Sequence, residues 1–206
     1  MNVYEAINAR RTIRDFADRP VDMSIIEKII DAGLKAPTND HMRSWEFVVV
    51  SRDKRTELLN TLPKTYSKVE VGEWLDTWSE DSVQRDMYLD GVPKQYTMLH
   101  NAGCLILPFY HEDEPLLEPK SLSSLNNFAS IWCCIENILL AAAAEGIFGV
   151  TRIPMDNEIQ HIQKVVGHPN DYVMPCYIAL GYPAKDATRP VQKEVLARDR
   201  IRVDAW

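Results

Sequence analysis

"LSSLNNFASIWCCIENILLAAAA", residues 122–144, decides the fold of this chain. Leu125, Phe128, Trp132, Ile135, Leu139 and Ala142 recur at helical spacing, while Ile131, Ile138 and Leu140 make further faces apolar. A helix apolar on most sides must be buried on most sides. At about 35 Å it would cross an entire small domain. A central core helix explains this pattern. A helix buried partly in a subunit interface explains it better. Gly146 ends it, as glycine commonly does just past a helix C-terminus.

The 206 residues around this helix fit one domain, or one protomer of an intimate oligomer. With 46% apolar residues the chain can fill a core. A net charge of −7 argues against a nucleic acid or an anionic membrane as main partner. The longest uninterrupted apolar stretch, Ile138 to Ala144, is too short to span a bilayer. The N-terminus, MNVYEAINARR, lacks the apolar core of a signal peptide. Cys104, Cys133, Cys134 and Cys176 form no metal-ligand pattern, so no metal is expected. A reducing cytoplasm is the simplest home for them.

Working outward from the helix, the chain reads as alternating helices and strands. Asn2 and Glu5 form a capping-box pattern that predicts a helix over residues 3 to about 10. Ser24 and Glu27 repeat the pattern before Ile25, Ile26, Ile29, Ile30 and Leu34, with Pro37 as a stop. Phe47–Val50 reads as a buried strand and Asp53–Leu62 as a short helix. Residues 63–100 read as one or two helices carrying Trp74, Trp78, Tyr88 and Tyr96. Cys104–Tyr110 and Val173–Leu180 are strand candidates, and "GVTRI" at 149–153 is a short strand or extended loop. Asp156–Val166 is a helix with Asp156 as cap and Gly167 as stop. The last 23 residues are polar and form an extended tail. This order makes the class α+β or α/β.

Four stretches could carry chemistry. "NARRTIRDF", residues 8–16, places Arg10, Arg11 and Arg14 in an otherwise acidic chain. Arg10 and Arg11 fall at a helix C-terminus, where cations are mildly favoured for structural reasons alone. They also fit a phosphate site, since arginine forks match phosphate oxygens and Thr12 adds a hydroxyl. In an extended segment Thr12 and Arg14 share a face, so Arg14 would reach a second group on the same ligand. "APTNDHMRSWEFVVV", residues 36–50, is a turn-rich surface loop, except that Trp45 argues against free solvation. "EGIFGVTRIP", residues 145–154, lacks both dinucleotide and P-loop glycine patterns. Its glycines read as a helix cap and a close backbone approach. "LGYPAKDATRP", residues 180–190, ends a strand and carries Lys185 and Arg189.

Taken in order, these motifs resemble the nitroreductase family of FMN-dependent NAD(P)H oxidoreductases. The resemblance covers nearly the whole chain and is weakest over residues 60–100. It implies an α+β domain with a central, mostly antiparallel sheet flanked by helices, in an intertwined homodimer with FMN at the interface. The whole chain, 1–206, would be one such domain, with 63–100 as a variable helical lid and 184–206 as a tail across the partner subunit. By similarity, Arg10, Arg11 and Thr12 would hold the FMN phosphate and ribityl chain, and Arg14 would lie near the N1/O2 edge of the flavin. A guanidinium there stabilises the negative charge of the reduced ring. Pro37, Thr38, Asn39 and His41 match a loop supplied by the other subunit. Thr151, Arg152 and Ile153 match the backbone stretch beside flavin N5. Arg189 matches the residue that completes the phosphate site, with Lys185 as its competitor.

Two positions depart from the family pattern. His41 stands where asparagine is common and Arg43 where glutamine is common. If both faced the pocket they would favour an anionic substrate or tighten cofactor binding. Arg43 could equally pair with a surface carboxylate. His41 could donate a proton, although a lone loop histidine is usually just solvated. No side chain is required as catalytic acid or nucleophile, because the flavin carries the chemistry. The resemblance therefore implies hydride transfer from NADH or NADPH through FMN to a nitroaromatic, quinone or related acceptor, by ping-pong kinetics. The alternatives are reductive dehalogenation, azoline-type dehydrogenation, and a flavin-binding or other phosphate-ligand-binding protein without catalysis.

Overall fold

Alternation along two central strands splits the interior into two apolar cores. The computed structural model describes residues 1–64, 66–77 and 82–206. Its strands are β1 (Trp45–Val49), β2 (Cys104–His111), β3 (Phe148–Arg152), β4 (Tyr172–Val173) and β5 (Tyr177–Gly181). They form one sheet in the order β1-β2-β5-β3, with β4 paired to the far end of β2. Every strand pairing is antiparallel. Successive strand residues point to opposite faces. Cys104, Ile106, Tyr110, Ile178 and Leu180 accordingly enter one core, and Leu105, Leu107, Phe109, Tyr177 and Ala179 the other. A strand covered on both faces must be apolar throughout, which is why "CLILPFY" shows no polar alternation.

The helices are α1 (Val3–Ala9), α2 (Met23–Gly33), α3 (Arg52–Leu58), α4 (Lys68–Leu75), α5 (Ser82–Gly91), α6 (Thr97–His100), α7 (Asn126–Ala144) and α8 (Asp156–Val166). Ile26 and Ile29 of α2 with Ile131, Ile135 and Ile138 of α7 fill the first core. Leu58 of α3, Met98 and Leu99 of α6, and Ile162 of α8 fill the second. The chain is an α+β fold with an antiparallel sheet between two helical layers.

Several boundaries differ from the sequence expectation. β1 spans Trp45–Val49 rather than 47–50, α3 closes at Leu58 rather than Leu62, and residues 63–100 hold α4, α5 and α6 instead of one or two helices. Asp22, not Ser24, is the N-cap of α2, and its side chain makes no capping bond. Met155, not Asp156, precedes α8, leaving Asp156 in the first turn, where the dipole favours its charge. The long helix begins with a 3-10 turn over Leu122–Leu125 before α7 proper. The predicted strand at 173–180 is two strands, because Pro175 cannot donate to a ladder. Pro108 uses the same break. On that side β2 pairs with β5 through residues 104–106 and with β4 at 110–111, so Pro108 falls where no partner strand lies.

Leu122–Ala144, 23 residues with an 18-residue window of mean hydropathy 1.4, is by length and composition alone enough to cross a membrane, longer than its uninterrupted apolar run suggests. In this fold, Ile131, Cys134, Ile135, Ile138, Ala142 and Ala143 are buried against the sheet and α2. The opposite stripe, Ala129, Cys133, Glu136 and Ala144, is exposed. Residues 191–206 are exposed throughout, ending in a fully exposed Trp206. The protomer shows 12719 Å² to solvent. A compact monomer of 23.6 kDa would show about 9,800 Å².

Candidate functional site

The arginine-rich stretch runs beside the sheet. α1 ends at Ala9, and the N–H of Arg10 closes its last turn on the Ala6 carbonyl. Thr12 then forms a parallel bridge to Gly149 of β3, and Phe16 an antiparallel bridge to Pro183. The Ile13 N–H donates to the Gly149 carbonyl at 3.2 Å, and the Ile13 side chain is buried. Burial of Ile13 fixes the register and places Thr12 and Arg14 on the other face. Gly146 ends α7 with φ at +73°, and a Cβ on Gly149 would run into the Ala179 carbonyl. Both glycines thus serve as the cap and the close approach that their sequence context predicts.

A cavity of about 820 Å³ opens beside this stretch. Arg14, Thr151, Arg152 and Ile153 line it, so four of the predicted residues converge. Tyr66, Trp74, Tyr88 and Trp132 give it aromatic walls, and Glu70 adds a carboxylate. Trp74 and Tyr88 meet edge to face, with centroids 6.0 Å apart. The size and the apolar lining with few polar groups suit a small-molecule site. Trp78 lies outside the described residues.

Both cavity arginines are paired with acids. Arg14 Nη1 donates to Asp90 Oδ2 at 3.2 Å. Asp90 Oδ1 accepts from Lys94 Nζ at 2.5 Å, and Lys94 also donates to Asp15 at 2.6 Å. Burial works against the Lys94 ammonium, but its hydrogen bonds to Asp15 and Asp90 outweigh that and raise its pKa. Arg152 donates Nη1 and Nη2 to Glu158 at 2.5 and 2.6 Å and Nε to Gln95. Tyr177 donates its hydroxyl to Glu158 at 3.2 Å. Burial and the Glu158 charge push the Tyr177 hydroxyl well above its usual range. Asp90, Lys94, Gln95 and Glu158 escape a motif-based reading. The i, i+4 spacing of Asp90 and Lys94 is the one local signal available.

The other predicted residues lie elsewhere. Arg11 Nη1 donates to the carbonyls of Asn8 and Arg10 at 2.7 Å, a cation at a helix C-terminus. Arg10 pairs loosely with Glu136 on α7 at 3.7 Å. Pro37, Thr38, Asn39 and His41 follow α2, with a 3-10 turn over Asn39–His41, and none lines the cavity of its own protomer. His41 is exposed, at φ +56°. Arg43 does not line the cavity of its own protomer and meets no carboxylate among the described residues. It donates to the carbonyls of Leu34, Ala36 and His41, satisfying groups left open where α2 ends. Lys185 and Arg189 are both exposed and outside the cavity.

Residues 7–182 match the nitroreductase family. The chain is 27% identical, over its whole length and 88% of the relative's, to a Methanothermobacter thermautotrophicus protein provisionally named NADH dehydrogenase/NAD(P)H nitroreductase. It is 28% identical to iodotyrosine deiodinase 1 of Mus musculus, over 97% of this chain and 68% of that one. Its fold superposes on a structure of iodotyrosine deiodinase bound to FMN and 3-iodo-L-tyrosine, with a TM-score of 0.74, 16% identity and full coverage of both chains. A match over residues 7–182, on a fold shared with such a relative, makes this chain a member of the nitroreductase family.

Proposed function

We propose that this protein is an FMN-dependent oxidoreductase that passes a hydride from NADH or NADPH to a small aromatic acceptor, such as a nitroaromatic or quinone. The observation that carries the reading is Arg14, a cation on the wall of an aromatic-lined cavity that Thr151–Ile153 also line. The residues fit the cofactor. Arg14 spends one guanidinium nitrogen on Asp90, and its remaining donors have no partner among the described residues. Arg10, Arg11 and Thr12 lie two to four residues upstream, with Arg10 held by only a loose pair, and are the residues to hold a phosphate. Arg189 is the tail residue to complete that site.

Bound FMN would supply two-electron chemistry that no side chain here offers. Arg14 would hold the edge where negative charge develops. The Thr151–Ile153 backbone would approach the opposite edge. The aromatic walls, formed largely by α4 and α5 within the lid region 63–100, would keep water out and stack first the nicotinamide and then the acceptor. One cavity serving both in turn gives ping-pong kinetics.

We further propose that the working unit is a homodimer. Pro37, Thr38, Asn39 and His41 miss the cavity of their own protomer, and α7 shows a stripe of small residues to solvent. The surplus surface supports a second copy, with the tail 184–206 laid across it. The cysteines are free thiols, which supports a reducing, cytoplasmic setting.

Reductive dehalogenation is the second reading. Glu70 favours it, since a carboxylate in an aromatic cavity suits the ammonium of an amino-acid-like substrate. The deciding experiment is the visible spectrum of the purified protein, before and after anaerobic NADH or NADPH. A flavin spectrum that bleaches is the expected result. A colourless protein that takes up no added FMN overturns the proposal. Turnover of halotyrosines but not nitroaromatics would replace the first acceptor class by the second.

A further inference from the structure

Arg14 reaches the cavity wall with little freedom left. Its side chain is 11% exposed and that of Asp90 18%. A Cβ on Gly91 would stand 3.1 Å from the Arg14 Cζ and Nε, so the guanidinium lies flat against the end of α5. At 3.2 Å the bond to Asp90 is long for an ion pair, whereas Lys94 holds the other Asp90 oxygen at 2.5 Å. The carboxylate is therefore shared, and its tighter partner is the lysine. Lys94 is itself fixed by Asp15, next in sequence to Arg14. The result is a closed chain of alternating charge, Arg14, Asp90, Lys94 and Asp15, linking the N-terminal strip to the root of α5.

We propose that Asp90 is a positioning residue that acts through Arg14. It grips one nitrogen of the guanidinium and leaves the other donors on the cavity side, while Lys94 absorbs enough of its charge that Arg14 stays an effective cation. This rests on the FMN reading, and it assigns Asp90 a part in setting the cofactor's reduction potential. The sign makes the idea testable. Removing an acid near a flavin should by charge alone raise the potential, because the reduced ring is the more negative form. Removing the grip that aims Arg14 should lower it.

The test is the midpoint potential of bound FMN, measured by spectroelectrochemistry, together with FMN affinity by fluorescence titration of apoprotein. Asp90→Ala should lower the potential in the direction of Arg14→Ala and weaken FMN binding roughly tenfold. Asp90→Asn, which keeps an acceptor oxygen for Arg14 but loses the charge, should hold the potential at or above wild type and keep FMN affinity. Asp90→Ala added to Arg14→Ala should lower the potential no further, because the grip has nothing left to aim. Asp90→Ser, which cannot reach Arg14, replaces the alanine variant if that fails to fold. A potential at or above wild type in Asp90→Ala, or additive shifts in the double variant, overturns the assignment while FMN binding stands. A wild-type protein that takes up no FMN overturns the flavin reading and this assignment together.

Discussion

Arg152 and Glu158 form a two-bond fork beside the cavity, with their side chains 9% and 2% exposed. Glu158 has a third partner in the Tyr177 hydroxyl, and Arg152 in Gln95. Each charge in this cluster is answered, which is the condition for a buried pair to persist.

Breaking the fork on one side should be costly. Glu158→Ala leaves a buried guanidinium and a buried tyrosine hydroxyl without their acceptor. The expected loss is about 3–5 kcal/mol, read from urea unfolding. A loss under about 1 kcal/mol would show that water replaces the carboxylate freely.

Alkaline pH should unfold the protein through its thiols. Burial pushes Cys104, Cys134 and Cys176 from an ordinary value of 9.0 up to about 12. A raised pKa means that the unfolded chain loses its protons first. Stability is therefore complete below about pH 9 and falls as pH climbs toward 12. Each thiol contributes a slope of about 1.4 kcal/mol per pH unit in that window. Replacing all three by alanine in one variant should reduce the slope at the expense of overall stability, leaving the share of the buried Tyr110 and Tyr177 hydroxyls, which burial also raises; an unchanged slope rules the thiols out.

The exposed stripe of α7 gives a test of assembly. Wild-type protein should sediment at about 47 kDa, twice the 23.6 kDa of the chain. Cys133 is exposed in the protomer, so Cys133→Arg should leave folding intact. A helix paired with its twin cannot bury that charge, and the variant should sediment near the protomer mass. Equal masses for the two proteins would move the interface elsewhere.

Trp74 should set acceptor affinity. Trp74→Ala removes one aromatic wall and its contact with Tyr88, worth about 0.5–1.5 kcal/mol beyond area burial. The acceptor KM should rise about threefold to tenfold, with FMN content unchanged. Loss of FMN from this variant would place the tryptophan against the cofactor instead.

Local signals in the sequence were enough for elements whose cause is local. The Asn2/Glu5 capping box is present as predicted, and the apolar stripe of α2 packs where its spacing points. Pro175 was visible, yet its effect on the ladder depended on which edge of β2 the neighbouring strands use. Alternation placed Thr12 and Arg14 on one face, and Ile13 is buried on the other, because alternation in an extended strip is local too. Asp90 and Glu158 were not legible as site residues. Their partners are 76 and 6 positions away, and a carboxylate in sequence carries no mark of what it will face. Arg43 was hard to place for a related reason, since the backbone carbonyls it meets in the protomer are invisible in a list of side chains.

The residues Asp90 to Gln95 are tied on two sides, to Arg14 and Asp15 through Asp90 and Lys94, and to Arg152 through Gln95. Mechanically this makes the end of α5 a joint between the N-terminal strip and β3. A load on the aromatic walls is thus carried into the N-terminal strip and β3 rather than into α5 alone.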